Sequence, residues 1–139
     1  AAVRSRDRIM SEKIAHQDAY RAIATALEDY FDGLYHGDTG KMRQVFMPQA
    51  HLFSAVDSPM LDWSLDQYMD VMANRESPAD QGKKRHDRIL SIDVVGPQTA
   101  IAKVECAIPP RYFTDLLTFV LHEGRWRIVN KTFHYVVHE

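Results

Sequence analysis

The chain has 139 residues, 17 basic and 19 acidic, for a net charge of -2. That length fits one domain with a core of its own, and the near-balanced charge argues against an electrostatic nucleic-acid binder. A single cysteine, Cys106, excludes an internal disulfide framework and any multi-cysteine zinc site.

Residues 1–13 are polar and are expected to form an N-terminal arm, or non-native residues ahead of Met10, outside the core. Residues 14–139 are expected to form the single domain. From Ile14 to Tyr35, apolar residues Ala19, Ile23, Leu27, Tyr30, Phe31 and Leu34 recur three or four apart, which predicts a helix ended by Gly37. Asp38 then caps a short helix over 39–46, closed by Pro48. Residues 50–56 read as a strand and Asp57-Ser58-Pro59 as a turn. Ser64 caps a third helix over 65–74, and 75–85 is a polar loop.

Beyond this point the pattern changes to period two. Strands are predicted over 86–95, 99–108, 111–122 and 125–137, separated by Gly96-Pro97, Pro109-Pro110 and Glu123-Gly124. Helices grouped early, with a run of strands later, indicate α+β with an antiparallel sheet. No apolar run approaches the roughly 20 residues that span a bilayer, so a cytoplasmic protein without membrane contact is expected.

This order resembles the nuclear-transport-factor-two-like (NTF2-like, cystatin-like) superfamily, a cone made by a curved sheet wrapped on three helices. The phrases YFDGLYHGD (30–38), RHDRILSIDV (85–94) and YFTDLLTFVLHEGRWRIVNKTF (112–133) resemble its putative lumazine-binding branch. The resemblance implies a fold and a pocket for a small hydrophobic or aromatic molecule, without assigning one reaction. The first half is also similar to ketosteroid isomerase. Tyr30 matches its oxyanion-hole tyrosine, Asp115 its second oxyanion donor, and Ser54 stands where its general-base aspartate belongs.

Asp115 lies among Phe113, Leu117 and Phe119, where desolvation would favour a protonated carboxyl able to donate to a ligand oxygen. The competing reading is a structural hydrogen bond between Asp115 and Tyr30. His86 shares the parity of Leu90 and Ile92 and is a candidate base at the rim. The alternative is a histidine paired locally at the strand start. Ser54 has no activating partner and reads as a small residue leaving room in a pocket. Phe53, Trp63, Tyr68, Met69, Met72 and Phe133 are candidates for the pocket wall, and about half of them are expected to touch it.

Lys131 is undecided by parity. With Val129 and Phe133 inside, its ammonium enters the cavity and pairs with Asp115 or an anionic ligand. With Trp126, Ile128 and His134 inside, it faces out, and that orientation is the favoured one. No cofactor is implied. The seven histidines show no metal-ligand spacing, and His134 and His138 would lie about 13 Å apart on a strand.

Three functions follow. The leading one is a ligand-binding pocket protein. The second is an isomerase or dehydratase acting beside a carbonyl through Tyr30, Asp115 and His86. The third is a dimeric interaction module. A homodimer is expected through an outer sheet face carrying Ile101, Lys103, Glu105, Ala107, Tyr112, Leu116, Thr118 and Val120.

Overall fold

The computed structural model describes residues 2–139, the side chains of residues 2–4 and 11–15 excepted. Helix α1 runs Ala2–His36, α2 Thr39–Val45 and α3 Leu65–Ala73. The strands are β1 Phe46–Ser54, β2 Leu61–Ser64, β3 Asp87–Val95, β4 Thr99–Ile108, β5 Arg111–His122 and β6 Arg125–Val137. They form one curved, unclosed sheet in the order β2-β1-β6-β5-β4-β3. The α+β architecture and the four late strands stand as the sequence pattern predicts.

The structure departs from the sequence reading in several places. Helix α1 extends back to Ala2, through the segment expected to be an arm, although residues 5–10 are exposed and add nothing to the core. The sheet is not wholly antiparallel, because β1 pairs parallel to β6. Strand β1 begins at Phe46, so Pro48 lies inside it, in the stretch where pairing with β6 slips between Phe46 and His51. A proline, which has no N–H to give, is tolerated at such an irregularity. Strand β2, four residues long, carries too little alternation to be seen in the sequence.

The core lies between the concave face of the sheet and the helices. Ile23, Leu27, Tyr30 and Leu34 of α1 meet Ala100, Ala102 and Val104 of β4, Leu117 and Phe119 of β5 and Ile128 of β6. Asp38 caps α2 by accepting from the Lys41 N–H at 3.0 Å, and Ser64 and Gln67 form a reciprocal capping box on α3. Among the described residues no helix is long and apolar enough to cross a membrane.

Gly37 turns the chain between α1 and α2 at φ 65°, and a Cβ placed there would lie 3.3 Å from the Ser77 Cβ. Gly37→Ala is therefore expected to lower stability by about 1–2 kcal/mol, the cost of a side chain in the left-handed region. Urea unfolding checks this, and a loss near zero would contradict the strained turn.

Candidate functional site

Two bulges decide which side chains enter the concave side. In β6 the pairing with β5 skips Val129, since Thr118 pairs with Asn130 and Phe119 with Ile128. Ile128 points inward before the bulge, and Lys131, Phe133 and Tyr135 point inward after it. Each sequence parity is right for half of the strand, and the outward orientation favoured for Lys131 is overturned: it is 4% exposed. In β3 the pairing with β4 skips Leu90. Asp87 and Ile89 thereby share a face with Cys106 and Val104, and His86 turns to the other side. His86 is exposed, packs against the Tyr112 ring at 5.6 Å and lines an open groove with Arg88 and Thr114, on the far side of Cys106 and Phe113 from the concave-side cavity. The inward placement expected of His86 from Leu90 and Ile92 is therefore corrected.

The concave side holds a cavity of about 110 Å³. Its apolar wall comes from Leu34, Leu52, Leu61, Trp63, Ile108, Phe113 and Phe133. Tyr68, Cys106, Lys131 and Tyr135 add polar atoms, and Asp57, Arg75 and Arg111 complete the lining. Cavities of about 150 Å³ hold benzene, so this one is on the scale of a single ring. Trp63 stacks on Tyr68 at 6.4 Å, and Phe113 packs on Phe133 at 5.7 Å. Across part of the lining, Tyr135 donates to the Asp57 carboxylate, and the Arg111 guanidinium lies 5.0 Å from the Tyr135 ring centre.

A buried polar cluster adjoins this cavity. Tyr30 and Asp115 are both 0% exposed. The Tyr30 hydroxyl donates to Asp115 Oδ2 at 2.6 Å, and the Cys106 thiol donates to the same oxygen at 3.3 Å. Lys131 Nζ stands 3.8 Å from that oxygen and donates to the Tyr68 hydroxyl oxygen at 3.3 Å. Its ammonium also lies 4.9 Å from the Tyr68 ring centre and 5.2 Å from those of Tyr30 and Phe133, a cation–π enclosure on three sides.

Burial alone would push the Lys131 amine down, but the Asp115 charge, with Tyr68 and Cys106, outweighs it and holds the amine above its ordinary value of 10.5. Burial first, and then the Asp115 charge, push the Tyr30 phenol and the Cys106 thiol well above their ordinary values of 10.0 and 9.0. All three groups hold their protons more tightly folded than unfolded. Their contribution to stability is full below about pH 9 and is lost as pH rises through the range where the unfolded groups ionise. Urea midpoints measured from pH 7 to 11 are expected to fall steadily above pH 9, and a flat profile would contradict this cluster.

The sequence-derived residues thus divide. Trp63, Tyr68, Lys131 and Phe133 line the cavity. Tyr30 and Asp115 meet, as their shared resemblance implies, but they bond to each other behind Lys131 and Cys106 and are not on the cavity wall. Asp115 Oδ2 accepts from both Tyr30 and Cys106, and Oδ1 has no partner among the described residues. Ser54 is buried but off the wall, its oxygen accepting from the Val56 N–H at 3.4 Å. Met69 and Met72 are core residues. Phe53 alternates with inward-facing Leu52 and Ser54, and stacks on His51 at 5.8 Å on the opposite face.

Sequence reasoning missed Asp57, Arg75, Arg111 and Tyr135. Tyr135 follows from Lys131 and Phe133 once the bulge is placed. Asp57 and Arg75 lie in loops, where no periodicity points inward. Among the described residues no group of three or more histidine, cysteine, aspartate or glutamate side chains could hold a metal ion. Arg85 is engaged structurally, pairing with Asp32 at 2.7 Å and Asp87 at 2.6 Å.

Residues 18–134 match the family described as putative lumazine-binding. The chain belongs to that family. Within the NTF2-like superfamily, it is similar to an NTF2-like protein of unknown function from Shewanella baltica OS155. The two are 29% identical, the match covers 87% of this chain and 96% of that one, and the TM-score is 0.77. It is also 29% identical over 129 residues to the aldolase FrzH of a Cladobotryum species, covering 90% of this chain and 97% of FrzH. A scytalone dehydratase-like protein from Novosphingobium aromaticivorans is 16% identical at a TM-score of 0.64, covering 90% of this chain and 89% of that one, a likeness of fold alone.

Proposed function

We propose that this member of the putative lumazine-binding family binds a small molecule of about one ring in the cavity beside Lys131. The observation that carries the reading is a polar corner in an otherwise apolar cavity. Lys131 is buried and protonated, and the Tyr68 hydroxyl, which accepts from Lys131, keeps its own proton for a ligand oxygen. Trp63, Phe113 and Phe133 would cover the ring. Native mass spectrometry of the purified protein tests this. A non-covalent adduct is expected in the wild type and not in Leu61→Trp, whose larger side chain fills the cavity. The same adduct in both would place the ligand elsewhere.

A second reading, catalysis beside a carbonyl, is favoured by the likeness to an aldolase over nearly its full length. In that reading Lys131 and Tyr68, and not Tyr30 with Asp115, would stabilise the oxyanion. No base stands at Ser54, and His86 lies outside the cavity. The wild type is therefore expected not to isomerise a β,γ-unsaturated cyclic ketone. Ser54→Asp is expected to gain nothing, because position 54 is off the wall. Fast turnover by either protein, followed in the ultraviolet as the conjugated enone forms, would overturn this.

A homodimer through the outer sheet face belongs to the same proposal. Ile101, Leu116 and Val136 are 39%, 42% and 44% exposed there, and Lys103 and Glu105 lie on the same face of β4. A two-fold contact could cover the apolar residues and pair those charges. Ala107, expected on that face, is buried, and Tyr112 is half-buried beside His86 and His138. Light scattering at micromolar concentration is expected to give twice the chain mass, and a monomer would contradict the dimer. A cytoplasmic location is part of the proposal.

A further inference from the structure

We propose that the ligand of this cavity is a small carboxylate, its anionic end held by Arg75 with Lys131 and its ring on the apolar wall. This rests on the reading of the cavity as a small-molecule site. It adds the charge of the ligand and the residue that selects for it.

The first observation is an orphaned donor. Arg75 follows the C-terminus of α3 and lines the cavity, and its Nη2 is shut from solvent without a hydrogen-bond partner among the described residues. A buried polar group left unpartnered is costly, and more so when charged. A guanidinium offers its donors in a planar fork that matches a carboxylate. Other arginines show the contrast. Arg43 and Arg85 have carboxylate partners within 3 Å and Arg125 donates to the Gln44 carbonyl at 2.9 Å, whereas Arg127, whose Nε is also enclosed without a partner among the described residues, lies outside this cavity.

The second observation is the balance of charge. Arg75, Arg111 and Lys131 line the cavity against one acid, Asp57, which accepts from Tyr135. Asp115, outside the wall, offsets Lys131. One positive charge is left over, and a monoanion neutralises it. Lys131 can serve both Asp115 and a ligand, since an ammonium has three protons and Tyr68 takes one.

The third observation is scale. A cavity of about 110 Å³ limits the ligand to the scale of a single ring, which keeps any carboxylate on it close to the polar lining. An anion held this way gains most where its surroundings are dry, and the walls are mainly aliphatic and aromatic.

Isothermal titration calorimetry with benzoate, benzamide and benzyl alcohol, at one pH and one ionic strength, tests the proposal. Benzoate is expected to bind at least tenfold tighter than either neutral analogue. Arg75→Met is expected to lose that preference without a fall in melting temperature, and Arg75→Lys to keep part of it. Equal binding of all three compounds would overturn the carboxylate while leaving the cavity as a ligand site. Binding of none would overturn both. A full benzoate preference in Arg75→Met would remove Arg75 from the role. A melting temperature that falls in Arg75→Met would show that its guanidinium is structurally partnered, and would overturn the orphaned-donor argument.

Discussion

Lys131→Met is expected to lower the unfolding free energy by about 3–5 kcal/mol, the range for breaking a buried ion pair from one side. Much of that loss is the cost of the charge left behind. Removing the ammonium leaves the Asp115 carboxyl enclosed, with Tyr30 and Cys106 as its remaining donors and Oδ1 still unpartnered. The double variant Lys131→Met/Asp115→Leu is expected to recover part of the loss, because it removes the stranded charge but leaves the buried Tyr30 hydroxyl without its acceptor. Exposed pairs set the comparison. Arg43 and Asp66 meet at 2.9 Å, closer than Lys131 and Asp115, but are 48% and 83% exposed. Arg43→Met is accordingly expected to cost no more than about 1 kcal/mol. Urea unfolding of the three variants and the wild type measures these differences. A Lys131→Met loss no larger than that of Arg43→Met would show that burial does not govern the pair.

Phe46→Ala is expected to cost about 3–5 kcal/mol and to weaken ligand binding as well. Phe46 is fully buried where α2 passes into β1, with ring centres 6.0 Å from Tyr30 and 6.1 Å from Tyr68. Truncation opens a void behind both tyrosines. Tyr68 would lose the edge contact that orients it, and with it the hydroxyl position that accepts from Lys131. Chemical denaturation reads the stability and calorimetry the affinity. A destabilised variant with unchanged ligand affinity would separate Phe46 from the site, and a loss under 1 kcal/mol would contradict its place in the core.

Much of the scaffold is legible in the sequence because it rests on local periodicity. The three- and four-residue spacing from Ala19 to Leu34 and the alternation within 99–108 and 111–122 are each sufficient for their elements. Ser64 with Gln67 marks the start of α3 in the same way. The parallel pairing of β1 with β6 is not legible, because it joins segments about 80 residues apart and leaves no local pattern.

The site was legible where a strand runs regularly. Asp115 shares parity with Phe113 and Leu117, and all three face the concave side. It failed where one extra residue is inserted. The bulge at Val129 brings Lys131 inward, and the bulge at Leu90 takes His86 out. A single skipped residue reverses every side chain beyond it, and neither bulge carries a glycine to announce it. Arg75 is a harder case. Its position depends on how the loop after α3 folds back toward α1, where the Ala79 N–H donates to the Tyr35 carbonyl at 3.1 Å.

The most direct test of the cavity as the ligand site uses its own tryptophan. Trp63 lines the cavity, whereas Trp126, the other tryptophan of the chain, lies in a separate groove beside Val45 and Arg125. Trp126→Phe leaves Trp63 as the sole reporter, and Trp63→Phe is the control. Each is titrated with benzoate, acetophenone and phenol, with emission excited at the red edge of the indole band. At least one compound is expected to change the Trp63 emission saturably and to leave the Trp126 emission unmoved. A saturable change confined to Trp126, or none at Trp63 with any of the three, would contradict the assignment of this cavity as the binding site.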